Sequence, residues 1–270
     1  MVNENMNKHI SRDEREQLDK NASRMKRTKL SQFTSFIVLM LIGLCFLNLI
    51  FEASALPAGP TIIYVTNSTA VTNLTNRSND AKGTITTLRM DLNQQDYKWK
   101  AYVGNVSGKL ALDDANSKSI YDWTLGTPSG KVFATRASTI NWNSVGCVGS
   151  SVITSEQTAL GMTASSIDNI NSTFNFTIHR SFLVGVINIS QSSCRSTATY
   201  INDAAQTITV NSPFQEVLLN DSSNSLIYTT LISSATVGYN GLPYDFQMIV
   251  GENESGTSHI PYYFYVELGS

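Results

Sequence analysis

The sequence predicts an all-β protein: an antiparallel β-sandwich ectodomain with room for one short helix, following a single N-terminal transmembrane helix. Three observations predict it. One uncharged apolar run lies near the N-terminus, short apolar alternations separated by turn residues fill the chain from about residue 84, and Ser and Thr replace charge as the polar complement. The chain has 270 residues and a formal net charge of −2, which gives a nucleic-acid partner no electrostatic support. Residues 53–270 carry 11 basic and 15 acidic side chains, a sparsely charged surface of the kind found on secreted β proteins.

The run Phe33–Phe51 holds nineteen residues without a charge. At about 1.5 Å per residue a helix of that length covers about 29 Å, close to a bilayer's hydrocarbon core of about 30 Å. Lys26, Arg27 and Lys29 precede it, and no basic residue follows until Arg77. The positive-inside rule then places residues 1–32 in the cytoplasm and the rest outside the cell membrane, as an extracellular domain. Two other readings compete. Ala53-Ser54-Ala55 has the small-x-small form of a signal-peptidase site, so cleavage after Ala55 would release the outer part. The apolar run is longer than a signal peptide's and lies behind 32 residues, which favours a retained signal-anchor. A pilin-like filament subunit is the third reading, but Lys26-Arg27-Thr28-Lys29-Leu30-Ser31 lacks the basic–small pair expected just before such a helix.

Residues 1–32 read as a charged, solvated tail. Pro57, Gly59 and Pro60 favour an extended exit from the span, and the repetitive polar stretch 66–80 reads as a stalk, so residues 52–82 form a linker and 83–270 the β-rich domain. Within it, strands are expected at 97–103, 106–112, 118–124, 131–135, 173–179, 182–189, 206–210, 214–220, 225–232, 244–250 and 261–268. The stretch holding the first four reads as a meander of three or four strands, with Asp113-Asp114-Ala115-Asn116-Ser117 as one of its turns. Only Ser155–Ile170 reads as helix, with Ser155 as cap and Leu160, Ile167 and Ile170 as its apolar stripe. One sandwich, or two divided near residue 150, both fit.

Cys45 falls inside the apolar run. Cys147 and Cys194 are the only other cysteines and invite one disulfide in an oxidising compartment. Nine glycosylation sequons follow the span, at Asn67, Asn73, Asn76, Asn105, Asn171, Asn175, Asn188, Asn220 and Asn253, where composition alone predicts about five. They mark a glycoprotein surface.

No constellation for catalysis stands out, and no enzyme is expected. A His-based relay needs a nucleophile and an orienting acid, and neither His179 nor His259 has a motif neighbour. Asp113, Asp114 and Asn116 do not have calcium-loop spacing, and no glycine loop for phosphate is present, so no cofactor or metal is expected. Trp99, Trp123 and Trp142, with Tyr97, Tyr102 and Tyr121, are clustered in sequence. They suit either the core or a surface that stacks on sugars or anchors a partner.

Several strings resemble a group of uncharacterised membrane-anchored cell-surface proteins of small-celled (DPANN-type) archaea. They are Trp99-Lys-Ala-Tyr-Val-Gly-Asn-Val-Ser-Gly108, Ser119-Ile-Tyr-Asp-Trp123, Ser192-Ser-Cys-Arg-Ser196, Phe214-Gln-Glu-Val-Leu-Leu219, Asp245-Phe-Gln-Met-Ile-Val-Gly-Glu-Asn253 and Tyr262-Tyr-Phe-Tyr-Val-Glu267. The resemblance implies an archaeal cell-envelope setting and brings no activity with it. The expectation is a surface protein with a structural or adhesive role, its partners the membrane and other envelope proteins or glycans. A carbohydrate-binding envelope module is the alternative.

Overall fold

The computed structural model describes residues 56–71, 79–253 and 259–269. The predicted tail and transmembrane helix lie outside the described residues. Among the described residues no helix is long and apolar enough to cross a membrane. Those residues belong to one compact unit, Ser54–Ser270, with no division near residue 150.

The unit is built mainly of antiparallel strands: β1 (Trp99–Gly104), β2 (Lys109–Asp113), β3 (Ser119–Thr124), β4 (Gly130–Thr135), β5 (Gly146–Cys147), β6 (Phe182–Val184), β7 (Ile187–Ile189), β8 (Ser196–Ala198), β9 (Gln215–Asn220), β10 (Leu226–Leu231), β11 (Thr236–Val237), β12 (Pro243–Tyr244), β13 (Phe246–Gly251) and β14 (Tyr263–Leu268). Two helices, α1 (Ser150–Ala159) and α2 (Ile170–Thr173), interrupt them. A six-stranded sheet in the order β14-β4-β10-β9-β5, with β8 also on β9, forms the centre. β4, β9 and β10 are buried along almost every residue, so the sheet is covered on both faces.

Alternate residues of these strands feed two separate cores. Val132, Ala134, Leu218 and Tyr228 pack with α1 residues Val152 and Ile153, with Ile170 and Phe174, and with Met248 and Val250 of β13. Phe133, Val217, Leu219 and Ile227 pack with Val184 and Ile189 of the β6–β7 hairpin and with Trp142. The first cover includes the β1–β13 ribbon and the second is a hairpin, so the central sheet does not face a second sheet of equal size.

One edge of β9 is completed by two pieces of chain laid end to end. β5 pairs with Leu219 and Asn220, and β8 pairs with residues 215–217. At the junction the Leu218 amide donates to the Arg195 carbonyl at 2.9 Å, and the Leu218 carbonyl accepts from the Val148 amide at 3.3 Å. The disulfide Cys147–Cys194 joins the two pieces there, with Cα atoms 4.9 Å apart, as the cysteine count predicts. The chain between them carries α1 and α2 to one face and β6–β7 to the other, so the bond clips the base of a clamp around the sheet.

Several expectations are corrected. The meander does not form: β1 pairs with β13, β2 pairs only with β3, and β4 joins the central sheet. Residues 173–179 are not a strand. The Asn169 side chain caps α2 by accepting from the Ser172 amide, Phe174 is buried while Phe176 is exposed, and only one bridge, Phe176 to Ser196, remains. The helix runs over Ser150–Ala159 rather than 155–170, because Gly161 turns the chain with φ +71° and leaves Ile167 in solvent. Residues 182–189 fold as a hairpin about Gly185 at φ +56°, and 206–210 hold no strand because Thr209 and Ser212 close a turn. Ala58, inside the predicted linker, pairs with Val266 of β14.

Replacing both Cys147 and Cys194 with Ser should lower unfolding stability by about 4 kcal/mol, the chain-entropy value for a loop of about 48 residues. Urea denaturation measures this, and limited proteolysis should then cut first within 149–193. An unchanged midpoint would show that the clamp needs no clip.

Candidate functional site

The β2–β3 hairpin stands out from the unit, with every residue of both strands exposed. Its turn is held by Asp114. One carboxylate oxygen accepts from the Asn116 and Lys118 amides, both at 2.8 Å, and Ser117 takes φ 59°. These two amides hold the Asp114 carboxyl below its ordinary range. Asp113 accepts from the Ser119 hydroxyl at 2.6 Å. The Asp113–Asn116 stretch is thus a turn, and among the described residues no group of His, Cys, Asp and Glu could hold a metal ion.

Register sorts the hairpin into two faces. Leu110 lies opposite Trp123 and Leu112 opposite Tyr121, giving one apolar face. The Tyr121 and Trp123 rings meet edge to face with centroids 5.0 Å apart, while 61% and 52% of each residue stays in solvent. On the other face Lys109 reaches Asp122 at 2.6 Å. An exposed Tyr–Trp pair flanked by two leucines can stack on the face of a sugar ring or seat in a partner's apolar pocket.

The other aromatic residues of the predicted cluster go elsewhere. Trp142 is 9% exposed and packs between Phe133 and Tyr265, at 5.0 and 5.1 Å. Trp99 is half-buried against Phe174, and its indole N–H donates to the Asp168 carbonyl at 2.6 Å. Tyr102 packs on Phe264 at 4.9 Å, and Tyr97 is exposed two residues before β1. Six residues close in sequence therefore divide among the core, a sheet edge and the hairpin. Leu110 and Leu112, which complete the hairpin face, were legible only as one side of an alternating run.

His179 is fully buried beside the disulfide. Its Nδ1 lies 2.8 Å from the Arg180 carbonyl, and Nε2 accepts from the Ser193 and Cys194 amides at 3.1 and 3.0 Å. A nitrogen that accepts twice carries no proton, so the ring is neutral with its proton on Nδ1. Burial pushes the imidazole below its ordinary 6.5. Nδ1 is held by Arg180 and Nε2 by the Cys194 loop, which leaves neither for a nucleophile. His259 is exposed. A shallow groove beside Cys147, lined by residues including Ser144, Asn220, Asp221 and Asn224, offers no titratable cluster.

Among the sequons, Asn67, Asn105, Asn171, Asn175 and Asn188 are exposed, and Asn220 and Asn253 are half-buried. The Asn220 side-chain Nδ2 donates to the Asp221 carbonyl at 2.9 Å. Asn73 and Asn76 lie outside the described residues. The fold and this surface define a class: an antiparallel β protein, clipped by one disulfide, that presents an aromatic hairpin to solvent. Comparison with protein-family models, curated proteins and solved structures finds no match for the chain.

Because the unfolded chain takes up its His179 proton near pH 6.5 and the folded chain only lower, this group's contribution is complete above 6.5 and drains as pH falls below it. Gln at 179 can donate to Arg180 and accept from both amides without titrating. His179→Gln should therefore flatten the loss of Tm between pH 7 and 5, measured by thermal melts across that range. An unaltered pH profile would remove His179 as its source.

Proposed function

We propose that this chain is a membrane-anchored cell-surface protein with a structural or adhesive role, which holds a sandwich-like β domain outside the membrane and makes contact through the β2–β3 hairpin. The observation that carries the reading is the apolar hairpin face, Leu110, Leu112, Tyr121 and Trp123, exposed in a protein whose other large aromatics are mostly packed. Water-exposed aromatics on a hairpin with no core beneath it add little to the stability of the rest of the fold and are well placed to bind. The Cys147–Cys194 disulfide supports an oxidising compartment, and the uncharged run 33–51 with its basic shoulder supports the anchor. A carbohydrate-binding module is the second reading, favoured by the Tyr121–Trp123 pair, whose exposed rings suit stacking on pyranose faces.

On intact cells, external protease should remove epitopes beyond residue 53 and spare an epitope placed in residues 1–32. Protection of the C-terminal part would invert the topology. Binding of the full chain to isolated envelopes should weaken about 30-fold in Tyr121→Ala/Trp123→Ala, the factor that about 2 kcal/mol of hot-spot loss gives, with Tm unchanged. Envelopes stripped of glycans separate the two readings: lost binding supports the sugar module, retained binding the protein partner. Equal binding by the double variant and the native chain overturns both.

A further inference from the structure

We infer that copies of this chain join by β-augmentation, the run Thr61–Thr66 of one copy adding as an extra strand to the free edge of β1 in another. This goes beyond the proposed hairpin contact and does not depend on it.

The donor run reads Thr-Ile-Ile-Tyr-Val-Thr: five β-branched residues, one aromatic and no charge, the composition that fits a pleated strand best. Yet it belongs to no strand and makes no backbone hydrogen bond to the described protein. Ile63 is 81% and Val65 86% exposed. Its own sheet edge is closed to it for a specific reason. Ala58 exchanges both backbone hydrogen bonds with Val266 of β14, at 3.0 and 2.8 Å. Continuing that antiparallel ladder would set residue 60 opposite Phe264 as the next bonded pair. Residue 60 is proline and has no N–H to give, so the ladder stops and the run leaves the sheet.

The acceptor is β1. The carbonyls of Lys98, just before the strand, and of Gly104 at its end accept from the Glu252 and Asp245 amides, so the alternate residues Trp99, Ala101 and Val103 turn their N–H and C=O groups away from β13. Those groups meet no partner among the described residues. The edge is six residues long, as is the donor, and the register with β13 runs unbroken, without bulge or proline. Lysines commonly guard such edges. Here both are drawn aside: Lys98 pairs with Asp168 at 2.9 Å and Lys100 with Glu252 at 2.6 Å. No free charge therefore opposes an uncharged incoming strand.

Ile62, Ile63, Tyr64 and Val65 are 65%, 81%, 72% and 86% exposed, so the donor brings uncommitted apolar surface to the contact along its whole length. Donor and acceptor are different surfaces of one chain, so the contact is heterologous, and its repetition builds a ring or an open row of copies.

The test mixes ¹⁴N- and ¹⁵N-labelled full chains in nonionic detergent, each with a photo-crosslinking residue in place of Val65, and maps the linked peptides by mass spectrometry. The expected result is mixed-isotope peptides that join position 65 to the β1 segment. Ile63→Pro should cut their yield about tenfold or more, because it deletes a ladder N–H. Ile63 is exposed and unpaired, so the variant keeps its circular dichroism spectrum and its disulfide. Links confined to one isotope, links to other segments, an absence of links, or a proline variant that links as well as the native chain would each overturn the proposal.

Discussion

The structure depends on a strand that the chain does not contain in one piece. The edge of β9 needs a partner along its whole length, because β9 is buried on both faces and an unpaired amide there has no water to turn to. Residues 146–148 cover one half and 195–198 the other, and Leu218 bonds to both. Neither half is long enough to hold its register alone. The disulfide makes the two behave as one strand. Because the chain between them covers both faces of the sheet, fixing the splice also fixes the positions of α1, α2 and the β6–β7 hairpin.

Covering a sheet on both faces carries an electrostatic cost, visible in the polar side chains trapped inside. Lys131 and Glu267, both buried, pair at 3.2 Å across β4 and β14, and Glu267 also accepts from the Gly185 amide, which pins the β6–β7 turn. Burial holds the Lys131 ammonium below its ordinary range. Glu216 on β9 accepts from the Ile249 amide of β13 at 2.9 Å, while its other oxygen meets no partner among the described residues. Burial raises its carboxyl well above the usual carboxylate range. Gln247 on β13 accepts from Tyr239 and donates to Thr199 and Tyr200, which ties two loops to the ribbon. Such bonds have fixed directions, so they set register where apolar contacts alone would permit sliding.

What the sequence revealed follows from how locally each feature is encoded. The strands at 99–104, 119–124, 130–135, 215–220, 226–231, 246–251 and 263–268 are legible because β-branched and aromatic residues sit between turn formers. Pairing is not local. Nothing near Trp99 says that β1 joins β13 rather than β2, and nothing in the alternation of 173–179 outweighs the capping amide of Asn169, which bends the same residues into a helical turn. The disulfide was legible by elimination. The role of His179 was not, since a buried histidine that binds two amides is defined only by the loop folded around it. The hairpin face was half legible: Tyr121 and Trp123 stood out as aromatics, but their separation from Trp99 and Trp142 is a tertiary fact.

The hairpin's own bonds bear on its use. A two-stranded ribbon in water is marginal by itself, and this one has no core beneath it. It is held by local devices: the Asp114 turn, the Asp113–Ser119 bond, the Lys109–Asp122 pair and the contact of Tyr121 with Trp123. Three of the four lie in the turn or on the polar face. The apolar face is therefore only partly engaged in keeping the ribbon together, and most of the Tyr121 and Trp123 surface is left over. A ribbon required only for folding would have gained more by turning those rings inward, as β4 and β14 do with Phe133 and Tyr265 around Trp142. Rings held outward on a framework that polar bonds already support are the feature on which the proposed contact through this face rests.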